Sequence, residues 1–213
     1  MRILGLTGGI GMGKSTAASA LRRAGLPIFD ADATVHALQA PGGRAVAAIG
    51  RLIPATVRDG RIDRAALRRA VIADDALMLR LERIIHPMVR AEQKRFLARM
   101  RRAGHAWAVL DIPLLFERGG DRLCDLVLVV SAPQALQMGR VRRRRRGMSP
   151  AEAESLIARQ MPDIEKRRRA DVVIKTGLSR AHSLRQIRRL LVRLRAPAGV
   201  GIRGRRHHRR SRP

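Results

Sequence analysis

An apolar hexapeptide that runs straight into a glycine-rich loop, and from there into a helix, constrains this chain more than any other feature. Arg2-Ile3-Leu4-Gly5-Leu6-Thr7 leads into Gly8-Gly9-Ile10-Gly11-Met12-Gly13-Lys14-Ser15-Thr16, which fits the P-loop pattern G-x-x-x-x-G-K-[ST]. Each position has its own physical job. Glycines let the backbone curl until several N–H groups point inward, where side chains would block an anion. The helix that follows, Ser15 to Arg23, aims its unpaired N–H groups at the same phosphates and stops at Gly25. Lys14 brings a point charge to the outer phosphates, and Ser15 offers a hydroxyl to Mg²⁺. Gly8, Gly13, Lys14 and Ser15, which hold the diagnostic places, are therefore the expected nucleotide contacts, with Gly11, Met12 and Thr16 in the same segment.

The rest of the chain reads as an α/β protein. Apolar runs at Arg2–Leu6, Pro27–Phe29, Ala106–Ile112, Leu126–Val130 and Val172–Lys175 are short, rich in Val, Ile and Leu, and do not alternate. That is the signature of parallel strands buried on both faces. Helical patterns separate them, so a five-stranded parallel sheet covered by helices is expected, with chemistry at the carboxyl ends of its strands. The stretch from about Ala33 to Arg102 shows no convincing strand. It reads as helices at Ala33–Gln39, Arg44–Arg51 and Arg64–Ala70, then a long pattern from Asp74 to Met100 broken at Pro87. This is far more helix than a crossover needs, and is expected to be an inserted subdomain. A second helical excursion runs from about Gln134 to Arg169.

Composition narrows the function classes. With 213 residues, 46% of them hydrophobic, the chain has material for a core. No segment reaches the roughly 18 unbroken apolar residues that span a bilayer. No signal peptide is expected, and Cys124 is the one cysteine. Disulfide scaffolding within the chain is impossible, which points to a reducing cytoplasm; Cys124, just ahead of an apolar strand, reads as a small buried hydrophobe. The net charge is +28, and only four of the 45 basic residues are lysines. Arginines are spread over most of the expected helices, as solvated faces would be. The tail Gly199–Pro213 has almost no apolar residues and is expected to be disordered and to adhere to polyanions without specificity. Aromatic RNA-binding motifs, zinc-finger spacing and internal repeats are missing from the sequence.

Several residues at the strand ends are candidates for chemistry. Asp30 and Asp32 close the second strand in Ile28-Phe29-Asp30-Ala31-Asp32. One is expected to cap the following helix. The other is expected to take a proton from an attacking hydroxyl, and Asp32 is assigned that role. Asp111 ends the third strand; it reads either as a carboxylate holding Mg²⁺ through water or as the partner of a nearby Arg. Glu117, after Pro113-Leu114-Leu115-Phe116, faces either a ligand cleft or solvent. His86 stands before Pro87 and is either structural or a ligand contact. From Arg140 to Arg146 six of seven residues are arginine, and on a helix they surround the axis. Arg140 and one of Arg144 or Arg145 are the candidates to swing over a triphosphate.

Taken in order, these segments resemble the dephospho-CoA kinase family. The resemblance rests on Leu6–Thr16, on Phe29-Asp30-Ala31-Asp32-Ala33-Thr34-Val35-His36 and on Asp59–Leu67. It extends through Leu81–Val89, Ile112–Glu117 and the Gln160 to Asp171 segment, and so runs from Arg2 to about Leu190. It implies a fold like that of the nucleoside monophosphate kinases. The core would be residues 1–32 and 103–198 with a lid at about 134–169, an acceptor-binding helical insertion at 33–102, and a tail at 199–213. It also implies phosphorylation of the ribose 3′-hydroxyl of dephospho-CoA by Mg·ATP, with Asp32 as base, Lys14 and Arg140 as further catalytic residues, and His86, Leu114, Leu115 and Glu117 near the acceptor. Neither a membrane nor an obligate protein partner is implied. Two rival readings are another small-molecule P-loop kinase of the nucleotide-kinase kind and a basic nucleic-acid-binding protein.

Overall fold

Residues 1–72, 74–144 and 148–196 are described by the computed structural model. Arg145 and the tail Gly199–Pro213 lie outside the described residues. In chain order the elements are β1 (Arg2–Thr7), α1 (Lys14–Arg23), β2 (Ile28–Asp30), α2 (Ala31–Gln39), α3 (Val46–Leu52), β3 (Val57–Arg58), β4 (Arg61–Ile62), α4 (Arg64–Ile72) and α5 (Asp75–Arg102). There follow β5 (Trp107–Asp111), β6 (Leu126–Ser131), α6 (Gln134–Arg144), α7 (Pro150–Ala158), α8 (Asp163–Arg169), β7 (Val172–Lys175) and α9 (Arg180–Arg195). The chain divides into one unit of residues 1–28 and 104 onward, and a second of residues 29–103.

The main sheet has five strands in the order β2-β5-β1-β6-β7, and β5, β1, β6 and β7 belong to the first unit. β1 runs parallel to β5 and β6, and β6 runs parallel to β7. β5 and β6 are buried along their whole length, as their unbroken apolar runs require. Leu4, Leu6, Val109, Leu128 and Val130 pack with Ala17 and Leu21 of α1 and with Ile187, Leu190 and Leu194 of α9. Each fully buried side chain of this kind contributes about 1.5–3 kcal/mol. α9 is an element that the sequence pattern above does not include, although its buried positions follow helical spacing.

The register places the chemistry. Leu6 pairs with Asp111, so the end of β5 lies beside the start of the glycine loop. Thr7, fully buried, donates from Oγ1 to the Pro113 carbonyl at 2.8 Å, tying that loop to the turn after β5.

The second unit gathers Leu38, Ala45, Ile49, Ile62, Leu67, Val71 and Ile85 into a core of its own. Two findings correct the sequence reading here. β3 and β4 form a short antiparallel ribbon, joined at Asp59-Gly60, where both φ angles are positive (48° and 69°). An Asp-Gly pair is a strong two-residue hairpin signal. Second, α5 continues through Pro87 without a break. Pro87 removes one backbone bond at a cost of about 3 kcal/mol. Leu77, Met78, Leu81, Ile84, Met88 and Val89 pack against the core on both sides of it, and that burial outweighs the loss.

Candidate functional site

The glycine loop keeps its shape because neighbouring strands leave no room for side chains. A Cβ on Gly8 would lie 2.4 Å from Val130 Cγ2 and 2.7 Å from the Val130 carbonyl. Gly13, with φ of 93°, occupies the left-handed region directly before α1 and packs against Thr176. Met12 is buried and accepts the Ala132 amide on Sδ, which locks the loop onto the end of β6.

The amides of Gly11, Gly13, Lys14 and Ser15 donate to nothing among the described residues, whereas Thr16 and Ala17 bond back to the Gly13 carbonyl. The first turn of α1 holds no acidic side chain. The loop and helix end therefore form an anion nest with open donors and an uncompensated positive dipole end. Lys14 Nζ reaches Asp111 Oδ1 at 2.6 Å, with side-chain exposures of 17% and 4%. The partner of Asp111 expected from sequence was an Arg or an ion; the side chain found beside it is Lys14. Ser15, exposed, offers its hydroxyl in the first turn of α1. Ser15 and Asp111 are hard oxygen donors of the kind Mg²⁺ takes. Among the described residues no three His, Cys, Asp or Glu gather around a common point.

Beside the nest a cavity of about 350 Å³ is walled by Gly11, Gly13, Thr16, Arg140, Ile174 and Arg180, among others. Arg140, expected to swing over phosphates, is anchored instead. It donates to the Gly11 carbonyl at 3.3 Å and to the Thr176 carbonyl at 2.7 Å. Thr176 in turn donates to the Met12 carbonyl at 2.6 Å. Arg143 and Arg144 line the same cavity. Thr176 and Arg180 were not among the expected contacts, because a single Thr or Arg has no signal until the fold brings it to the loop.

The turn after β5 corrects one further expectation. Leu115, proposed to touch a substrate, has no exposed surface and packs beneath Gly5 and Gly120 as core. Glu117 is engaged within the protein. Its Oε1 lies 2.8 Å from Nζ of the fully buried Lys166 and accepts the Met161 amide at 3.1 Å. Burial pushes the Glu117 carboxyl up, but the hydrogen bond and charge of Lys166, with backbone donors, outweigh it and hold the group below its usual range. Leu114 is half-buried.

In the second unit, Asp30 is the helix cap: its Oδ1 accepts the Ala33 amide at 2.9 Å. Asp32 stands exposed in the first turn of α2. His86 is half-buried on α5. A cavity of about 620 Å³ in this unit is bordered by His36, Arg58, Arg61 and Arg64, with Asp59 and Asp63.

Comparison with known proteins agrees with this geometry. The family described as Dephospho-CoA kinase matches residues 2–180. A dephospho-CoA kinase of Gluconobacter oxydans is 53% identical over 198 residues, covering 92% of this chain and 98% of the relative. One of Paramagnetospirillum magneticum is 59% identical over 167 residues, 78% of either chain. A crystal structure of the protein TT1252 from Thermus thermophilus superposes with a TM-score of 0.78 at 35% identity, over 92% of this chain and 98% of that one.

Proposed function

This chain belongs to the dephospho-CoA kinase family, and from that premise we propose how its residues move a phosphoryl group from ATP to the ribose 3′-hydroxyl of dephospho-CoA. The observation that carries the assignment is the open anion nest with Lys14 reaching across it to Asp111. The amides of Gly11, Gly13, Lys14 and Ser15 bind phosphate oxygens, and Lys14 offsets the charge that builds on the transferring group. Arg140, fixed between the carbonyls of Gly11 and Thr176, holds the loop and borders the cavity that takes the base. Arg144 is the described arginine assigned to close over the phosphates.

Asp32 acts as the base. Capping by Asp30 leaves the Asp32 carboxylate for the acceptor hydroxyl, from which it takes the proton as the oxygen attacks the γ-phosphorus. The bond from that phosphorus to the bridging oxygen breaks, and ADP leaves. Ser15 and Asp111 would hold Mg²⁺, which supplies charge neutralisation between the outer phosphates when bound. The basic cavity at Arg58, Arg61 and Arg64 suits the diphosphate of the acceptor, and His86 and Leu114 belong to the acceptor side. We assign the enzyme to the cytoplasm; no described helix is long and apolar enough to cross a membrane.

Turnover of ATP with dephospho-CoA, and the position of the new phosphate, test the reading. Asp32→Asn is expected to lower kcat by about 10²–10⁴-fold while nucleotide affinity stays near wild type. Lys14→Ala is expected to leave almost no transfer. Because it also withdraws a partner from the buried Asp111, its melting temperature is measured alongside. Near-normal turnover by Asp32→Asn would remove Asp32 from the mechanism.

A further inference from the structure

One peptide group of the phosphate loop is held by two carboxamides. The Ile10 amide donates to Gln160 Oε1 at 2.9 Å, and the Ile10 carbonyl accepts from Gln137 Nε2 at 2.9 Å. Gln137 lies buried in the first half of α6, and Gln160 lies in the turn between α7 and α8.

A single carboxamide on a loop amide would be a weak tie if its own backbone were loose, but Gln160 is fixed from behind. The next residue, Met161, donates its amide to Glu117. α8, which follows, is fastened to the framework along its length. Ser131 Oγ donates to Asp163 Oδ2 at 2.7 Å, Lys166 pairs with Glu117 at 2.8 Å, and Arg169 pairs with Asp121 at 3.2 Å. The end of the helical excursion is therefore tied to the framework that carries the loop.

Direction along the bound nucleotide follows from the sheet order. The cavity beside the nest is bordered by Ile174, Thr176 and Arg180, at β7 and the start of α9. Glu117 follows β5, on the opposite side of β1 from β6 and β7. A nucleotide whose base fills the cavity and whose phosphates cross the nest ends with its terminal phosphate on the Gln160 side. Gln160 Nε2 makes no hydrogen bond to the described residues, and it is the donor end of the same carboxamide whose oxygen holds Ile10.

We propose that Gln160 is a positioning residue for the γ-phosphoryl group: it sets the loop apex through Ile10 and presents its free Nε2 donor to the terminal phosphate. This rests on the nucleotide assignment above. Its signature is discrimination between tri- and diphosphate, which a merely structural role would not produce.

Calorimetric titration of wild type, Gln160→Ala and Gln160→Glu with ADP and with the non-hydrolysable triphosphate AMP-PNP, both with Mg²⁺, tests it. Gln160→Ala is expected to bind ADP within about twofold of wild type and AMP-PNP about tenfold more weakly, the loss of one hydrogen bond to a charged group. Gln160→Glu keeps an acceptor for the Ile10 amide but faces the terminal phosphate with a negative oxygen, so it should bind ADP normally and AMP-PNP at least as poorly as Gln160→Ala. It also serves as the folded reference. Equal losses for both nucleotides in either variant, or no loss for AMP-PNP, would overturn the proposal. A wild-type protein that bound neither nucleotide would overturn the nucleotide assignment itself, and the proposal with it.

Discussion

Cys124 shows how surroundings decide the chemistry of one residue. Its sulfur packs into the space that a side chain on Gly5 would need, and the residue is buried. Burial first, and then the charges of Asp121, Asp125 and Asp171, push the thiol up to about 12. Since the thiolate is the reactive form, native protein at pH 8 should take up almost no iodoacetamide, and one equivalent on unfolding. Stoichiometric labelling of native protein would show that this part of the fold opens readily. The two aspartates at the end of β2 divide their work in a similar way. Asp30 uses a carboxylate oxygen to satisfy the Ala33 amide, while Asp32, in the first turn, has no described hydrogen bond to give up before it meets an acceptor.

At the scale of the element, α8 shows what polar burial does for a short helix. Its seven residues are too few to be stable alone. Lys166, fully buried, is matched by Glu117 and ties the helix to the turn after β5. Glu117→Gln leaves the lysine charge buried beside a neutral group. It should therefore cost toward the lower end of about 3–5 kcal/mol, because Glu117 keeps some solvent contact, and lower the melting temperature by about 6–12 °C. The pH dependence has a definite sign. The Glu117 carboxyl is held below the usual glutamate range in the folded protein. Its contribution is thus complete above the usual glutamate range and lost as pH falls through the lower folded value. The gap in melting temperature between wild type and Glu117→Gln should be widest near neutral pH and close in acid; a gap that stayed constant down to pH 3 would mean that the pair is not what the variant disrupts. Elements also mark what the sequence could tell. The sheet was legible because strands buried on both faces must be unbroken Val, Ile and Leu runs, and each expected strand lies within about two residues of its observed bounds. The β3–β4 ribbon was not drawn because two-residue strands fall below any periodicity, although Asp59-Gly60 carried its turn. The site was legible where chemistry dictates spacing, as in the loop from Gly8 to Thr16. It was not legible at Gln137, Gln160 and Thr176, whose value lies in where the topology delivers them.

The whole molecule carries far more positive charge than its site employs. Only Lys14 and a few arginines border the nest and its cavity, against a net charge of +28. Most of the other described arginines are exposed, and six more, Arg203, Arg205, Arg206, Arg209, Arg210 and Arg212, fall in the tail Gly199–Pro213. The Dephospho-CoA kinase match ends at residue 180, before this segment, and no residue of the site belongs to it. Removing Gly199–Pro213 should therefore leave kcat and KM for ATP and dephospho-CoA within about twofold of wild type. It lowers the formal charge from +28 to +22, and that change should appear in polyanion affinity. Each cation that neutralises a phosphate or sulfate releases a counterion, so affinity falls with salt in proportion to the number of such contacts. The truncated protein should leave a heparin column at lower salt, and its nucleic-acid affinity should fall less steeply with salt concentration. A full chain and a truncation that elute together would place the polyanion contacts on the folded helices instead. A truncation that loses turnover at saturating substrate would make the tail part of the enzyme.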